Sequence, residues 1–417
     1  MPLLARRPGP VRRSIVKGMQ NFTGPVHLPG TDGYENERLA WNRAVDPKPA
    51  LVAEALTAED VRVAVRTAAE RELPLAVQST GHGTVTGNEG ALLLRTSRLK
   101  GVRIDPARRE ATVGAGTLWS EVLPEAAWYG LAPMSGTPGI GVTGYTLGGG
   151  AGYLSRLHGL AADSLVGARL VTADGELREA EGDLLWALRG GGGNFGVVTE
   201  LTFRLHPVRE VVAGMTFHPF EHAGRLLETY GEWAATAPDA LSTAVLLMRG
   251  PDGGRLLGLR AFAAEGSERA LEPLLAAAGP VLSGAHRAMS FAEASAALGP
   301  DHPPMPLRHR FELFRSLPGD LIAALLEAPV DGAEIRHWGG AMTKPGGPAA
   351  HRDVPFSITL SQDVELPHAT GGTFLNFLTD PGRVADAFTP DAYARLVALK
   401  RRWDPATLFR PGLLIGA

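Results

Sequence analysis

One imidazole, His82, stands in a run of small residues, Gln78-Ser79-Thr80-Gly81-His82-Gly83-Thr84-Val85-Thr86-Gly87. The apolar run Leu75-Ala76-Val77 before it reads as a buried strand that feeds straight into this loop. Small residues let backbone pass close to a ligand, and successive N–H groups in such a loop can cradle an anion such as a pyrophosphate. An isolated Gly-His-Gly is equally compatible with a turn carrying a surface histidine. Two more glycine-rich blocks, at 136–152 and 190–198, tip the reading toward a large ligand whose diphosphate lies across backbone amides of several loops.

Other chemistries fit less well. Gly139-Ile140-Gly141-Val142-Thr143-Gly144 matches the dinucleotide fingerprint by letters, with Asp163 downstream. That fingerprint needs a strand before it and a helix opening from it. Here Ser135-Gly136-Thr137-Pro138 precedes, and Gly148-Gly149-Gly150 follows, a poor start for a helix. There is no phosphate-binding G-x-x-x-x-G-K and no G-x-S-x-G elbow. His218-Pro219-Phe220-Glu221-His222 has the letters of a zinc site, but Pro219 breaks the helix that would put both imidazoles on one face. With no cysteine, disulfides, thiolate metal sites, cysteine nucleophiles and thioether links to a cofactor are excluded.

The 417 residues favour two domains, and a net charge of −3 gives no support for binding nucleic acid or an anionic membrane. No run has the length of a membrane span. Arg6, Arg7, Arg12, Arg13 and Lys17 make the start basic, but no apolar stretch follows as in an export signal, so a flexible arm on a cytoplasmic protein is expected.

Residues 50–80 read as a strand, a helix beginning at Thr57-Ala58-Glu59-Asp60, and the strand into His82, a β-α-β unit. Short strands at 92–94, 101–104 and 110–113, a helix at 117–129 and a long loop at 132–152 follow. A hairpin turns at Ala173-Asp174-Gly175, a helix spans 183–189, and a strand spans 197–205. From about 209 to 375 strands alternate with amphipathic helices, which predicts an α+β sheet with helices on one face. Strands are expected at 334–342, 356–363 and 373–378, and a polar-amphipathic helix in the stretch 391–409, with Trp403-Asp404-Pro405 as its terminator.

Taken in order, Ser79-Thr80-Gly81-His82-Gly83, Thr137 to Leu165, Gly190–Gly193 with Asn194-Phe195-Gly196-Val197-Val198, Phe374-Leu375-Asn376-Phe377 and Trp403-Asp404-Pro405 resemble the berberine-bridge-enzyme-like branch of the PCMH-type FAD oxidases, related to vanillyl-alcohol oxidase. The resemblance implies an α+β fold: a two-part PCMH-type FAD-binding domain with an inserted substrate domain of antiparallel sheet plus helices. The implied division is an arm and lead-in at 1–44, the FAD domain at 45–208, the substrate domain at 209–378 and a returning C-terminal segment at 379–417. His82 falls at the family's flavin-linking histidine, which bonds a methyl of the flavin ring. Ser79, Thr80, Gly81 and Gly83 would give N–H groups to the diphosphate. Gly87, Thr137, Val142, Gly144, Thr146, Gly148, Gly152 and Asn376 would border the cofactor, and Val198 would meet its adenine half.

The chain departs from the family twice. Without cysteine, only a single histidyl link to FAD is available. Where the family often has Tyr-x-Asn-Tyr, this chain has Phe374-Leu375-Asn376-Phe377, and phenylalanine takes no proton. Tyr145, His337 and Gln362 are then the candidates for the base. A substrate that ionises by itself, a phenol or β-dicarbonyl, needs none. The resemblance implies an FAD-dependent oxidoreductase that takes hydride from a small organic molecule, aromatic or polyketide-like, with O2 as reoxidant. The Ala-, Arg-, Gly- and Pro-rich composition fits a role in natural-product biosynthesis. A flavin-bearing cyclase or lyase without net redox change is the alternative, and a flavin carrier a third reading.

Overall fold

Leu51–Glu54, Leu75–Gln78 and Leu92–Arg95 are apolar tetrapeptides, nearly all buried, and they form the parallel core of a four-stranded sheet. In the computed structural model, which describes residues 18–208, 210–250 and 252–416, the first two of these do not pair with each other. Leu92–Arg95 lies between them, parallel to both, so the expected β-α-β unit holds with a third strand slotted into it. Its helix, Ala58–Glu70, starts at a capping box in which Thr57 and Asp60 satisfy each other's backbone N–H groups. The basic segment 1–17, expected to be an arm, lies outside the described residues.

A second, antiparallel sheet runs Val102–Asp105, Glu110–Gly114, Val197–Arg204, Leu165–Val171, Leu177–Glu179. The turn at Ala173-Asp174-Gly175 joins the last two neighbours as expected, with Gly175 at φ +77°.

The third sheet has seven antiparallel strands in the order Ser283–Ser290, Glu210–Pro219, Arg255–Ala263, Leu241–Arg249, Gly332–His337, Phe356–Leu360, Arg310–Phe314. Helices Ala223–Trp233, Glu272–Ala278 and Gly319–Glu327 cover one face, where Leu226, Tyr230 and Leu325 pack on Val245, Leu259, Ile335 and Ile358. Side chains alternate along a strand, so the intervening residues Ala244, Arg260, Glu334, Arg336 and Thr359 share the opposite face. The predicted α+β architecture is the observed one.

Several expected elements differ. The loop at 132–152 contains a short helix, Val142–Leu147, because the glycine run stops that helix at Gly148. No strand runs directly into residues 139–144, the nearest being the two-residue Leu131–Ala132, so the dinucleotide fingerprint fails on its first requirement. The strand expected at 334–342 ends at His337, where Gly339 and Gly340 turn the chain at positive φ. Residues 373–378 form a 3-10 turn, Leu375–Phe377, because Asn376 leaves the sheet to bond the glycine segment. His218 lies on a strand, fully buried, and bonds Thr216 Oγ1 at 2.9 Å, away from any metal-ligand geometry. Among the described residues no cluster of three or more His, Asp or Glu could hold a metal, and no helix is long and apolar enough to cross a membrane.

The C-terminal helix, Pro390–Trp403, stops at the expected Trp403-Asp404-Pro405 terminator, where Asp404 takes over the backbone beyond it. Its carboxylate accepts from Lys400 Nζ at 2.6 Å and from the N–H groups of Leu408 and Phe409 at 2.7 and 2.9 Å. The tail so shaped runs beside Leu75, with Leu75 N–H donating to Leu408 O and Arg410 N–H to Leu75 O. Lys400 and Asp404 are both buried, so removing one partner leaves a bare interior charge. Asp404→Asn should lower unfolding stability by about 3–5 kcal/mol, read by denaturant titration.

Candidate functional site

The tail and Leu92–Arg95 hold Leu75–Gln78 from both sides, and the loop after it is pinned as firmly. Gln78 Nε2 donates to Leu39 O at 3.0 Å, and Trp41 N–H donates to Thr80 O at 3.0 Å. Gly81 sits at φ +83°, where a Cβ would come within 2.8 Å of Ala40, so no other residue fits. His82 therefore has a fixed place. Its ring stacks on Trp41 with centroids 4.2 Å apart, and its Nδ1 meets Thr80 Oγ1 at 2.9 Å. Nε2 is the nitrogen left without a hydrogen-bond partner among the described residues. Burial pushes the imidazole down to about 4, against the pull of Asp301, so it is neutral at pH 7.

The three glycine-rich segments meet around one cavity of about 590 Å³. Ser79, Thr80, Gly81, His82 and Gly83 line it from the first segment. Thr137, Gly144, Gly148 and Gly152 line it from the second, and Val198 and Asn376 complete the expected set. Three expected residues stand back from it. Val142 is fully buried in the core, Thr146 is buried beneath the helix, and Gly87 lies behind Thr86 and Asn88, which do reach the wall. Asn376 binds the second segment, accepting from Gly150 N–H at 2.6 Å and donating to Tyr145 O at 3.1 Å. A larger cleft of about 660 Å³ near Trp403 shares only Arg410 with this cavity and contains none of the glycine segments.

The cavity fits a ligand rich in acceptors. Ser79 Oγ and Thr143 Oγ1 are buried on its wall with no partner among the described residues. The N–H groups of His82 and Gly83 likewise find no acceptor there. A Cβ on Gly83, Gly144 or Gly193 would meet nothing within 4 Å, so these glycines open onto the cavity rather than onto packed protein. Backbone donors and orphaned hydroxyls along an elongated cleft are what a dinucleotide with a diphosphate requires.

The opposite wall comes from the seven-stranded sheet, through Glu334, Arg336 and Thr359, and from segments beside it, through Leu307, His309 and Phe377. Phe377 stacks on Phe311 at 4.6 Å, and His309 Nε2 bonds Phe377 O at 2.9 Å.

An FAD-binding-domain family matches residues 49–181. The chain is 30% identical to the (R)-6-hydroxynicotine oxidase of Paenarthrobacter nicotinovorans over 452 aligned positions, covering 94% of this chain and 96% of that protein. It belongs to the berberine-bridge-enzyme-like branch of the PCMH-type FAD oxidases. An FAD-linked oxidoreductase of Dictyostelium discoideum is 32% identical over 272 residues, and the chain spans 60% of that protein's length. The crystal structure of 6-hydroxy-D-nicotine oxidase from Arthrobacter nicotinovorans superposes with a TM-score of 0.83 at 27% identity, covering 93% of this chain and 97% of that one. A BBE-like protein of Physcomitrella patens has the same fold, with a TM-score of 0.84 at 22% identity and 97% of this chain covered. The protein is thus an FAD-linked oxidoreductase.

In this BBE-like oxidase two of the three expected bases are misplaced. Gln362 bonds Asp331 at the sheet's rim, with its Nε2 donating to Oδ2 at 2.7 Å, and does not reach the cavity. His337 faces the helix layer, because its neighbour Arg336 takes the cavity side of the strand. It packs on Tyr230 and Trp233 and meets Arg156 Nη1 at 3.1 Å. Tyr145 does line the cavity, and its hydroxyl has no partner among the described residues, but burial raises its pKa far above neutrality. At pH 7 it can donate a hydrogen bond but is no ready base. The sequence reading missed Glu334, Arg336 and His309, whose only signal was the i, i+2 spacing of Glu334 and Arg336 on one strand.

Burial also holds His206 and His337 down to about 3. Such histidines take up protons more readily in the unfolded chain, so their contribution is complete above pH 6.5 and is lost as pH falls through 6.5 toward 3. The melting midpoint should drop between pH 6.5 and 4.5, before ordinary carboxylates titrate, with each histidine costing up to about 1.4 kcal/mol per pH unit. His337→Gln keeps an acceptor for Arg156, so it should flatten that slope and leave flavin reduction unchanged in stopped-flow.

Proposed function

We propose that the chain is an oxidase with covalently held FAD, tethered through Nε2 of His82, that oxidises a small organic molecule and is returned to its starting state by O2. The observation that carries this reading is the fixed imidazole in the cavity wall. Thr80 Oγ1 pairs with Nδ1, Trp41 holds the ring plane, and in the tautomer whose Nδ1–H donates to Thr80 the neutral ring presents its lone pair at Nε2. With no cysteine in the chain, His82 is the single tether.

When bound, FAD supplies a two-electron acceptor for the hydride that a substrate loses on oxidation. The chain's own residues do the rest. The first glycine segment offers N–H groups and the Ser79 hydroxyl to the diphosphate. Asn376 fixes the glycine segment that borders the cofactor against Phe377. Phe377, backed by the buried rings of Phe311 and Phe374, makes one side of the substrate space apolar. The full-length relative acts on a hydroxylated nicotine by its name, and other relatives are named for oligosaccharides. For this chain the phenylalanine wall favours an aromatic or other flat organic substrate over a sugar.

Intact-mass spectrometry of the purified yellow protein should show one FAD added to the polypeptide, and acid precipitation should leave the colour in the pellet. His82→Ala should move the flavin to the supernatant. Flavin released from the unaltered protein would overturn the tether. Anaerobic bleaching by a true substrate, followed by oxygen uptake, tests the oxidase. A compound converted without bleaching would instead mark a flavin-bearing cyclase or lyase.

A further inference from the structure

The geometry points to a substrate that carries an anionic oxygen, a carboxylate or an ionised phenol or enol, held by Arg336. This deepens the oxidase reading and rests on it. Arg260 and Arg336 lie on adjacent sides of Ala244, whose small side chain leaves space between them on the cavity face of the sheet. Glu334 stands two residues before Arg336 on the same face. Both guanidinium groups share this one carboxylate. Arg260 Nη2 and Arg336 Nε donate to Glu334 Oε1, and Arg336 Nη2 donates to Oε2 at 3.1 Å.

Two cations against one anion leave the cluster at +1. Glu334 is already ionised, pulled down to about 2 by the two arginines, so its charge is fully counted. The groups packed around the cluster are neutral. Tyr153 lies under Arg260 with its ring 5.6 Å from the guanidinium carbon, and Trp338 and Phe377 flank Arg336 at 5.7 and 5.8 Å. Among the described residues neither arginine has a second carboxylate within ion-pair distance. Aromatic faces ease a cation's burial but do not neutralise it.

An unbalanced charge in a protein interior is costly unless something pairs with it. Arg336 is walled by protein, yet 24% of its side-chain surface is open, and it opens into the cavity. A planar fork with an unpaired edge matches a carboxylate or phenolate oxygen. Such an anion would lie beside Phe377, in the space left for substrate. For a phenol or enol, holding the ionised form also removes the need for a protein base, since the proton has left before hydride does.

The test uses the flavin-loaded protein and two probes of one shape, benzoate and benzamide, titrated at pH 7 while the flavin absorbance is followed. Benzoate should bind at least about tenfold more tightly, the effect of one charge-assisted contact. Arg336→Gln should erase that preference, leaving Arg260 and Glu334 as a balanced pair, and Glu334→Gln should tighten benzoate without changing benzamide. If Arg336→Gln fails to fold, Arg260→Gln removes the same unit of charge and should weaken benzoate alone. Equal affinity for the two probes, no response to either, or a preference that survives Arg336→Gln would overturn the proposal. A preparation that carries no flavin would overturn the oxidase reading instead, and a flavin that bleaches with substrate but shows no anion preference would overturn this inference alone.

Discussion

A lysine and an aspartate buried side by side join the parts of the glycine-lined cavity that lie furthest apart in the chain. Lys400 Nζ donates to Asp404, to Phe409 O and to Asn194 O in the third glycine segment. Asn194 in turn accepts from Ile415 N–H and donates to Leu413 O. Asp404 shapes the tail, and the tail forms the outer neighbour of the strand that leads to His82. A buried pair of this kind is weak evidence of stability for its own sake. Its value here is geometric: it sets where the tail runs, and so sets one edge of the strand that aims the imidazole.

That dependence explains why an N-terminal loop and a C-terminal tail serve one site. A loop of glycine, serine and threonine has little side-chain packing of its own, and Leu75–Gln78 is short. Left with one neighbour, such a strand would fray and carry His82 with it. Two neighbours and the Gln78, Trp41 and Thr80 contacts remove that freedom before any ligand arrives. A nucleophile or tether must be held in place in advance if bond formation is not to spend binding energy on ordering it.

The glycine-lined wall of the cavity was legible in the sequence because close approach of backbone to a ligand leaves a local trace. Close approach of main chain to a ligand demands glycine at particular positions, and those positions sit together in the sequence. Gly81, Gly144, Gly148 and Gly152 are all on the cavity wall for this reason. The misplacements, Gly87, Val142 and Thr146, are neighbours of true lining residues, errors of one or two positions along a segment that was itself found. The short helix Val142–Leu147 turns Val142 and Thr146 into the core while Thr143 and Gly144 face the cavity, a phase that a loop reading does not supply.

The opposite wall of the cavity left no such trace. It is made by side chains from strands far apart in the chain, and which residues share a face depends on register. His337 and Arg336 are adjacent, and a shift of one residue exchanges helix layer for cavity. The local alternation of Ala333 and Ile335 with Glu334 and Arg336 hints at that phase, but His337 is polar on the apolar side and the neighbouring strands decide it. Strand pairing settles it: once Ile335 pairs with Val245 and Ile358 beneath the helices, Glu334 and Arg336 must face the cavity. The charge on that wall is therefore a consequence of burying three aliphatic side chains on the other side of the sheet. The core under the seven-stranded sheet and the arginine on its cavity face are set by the same register, so neither can shift without the other.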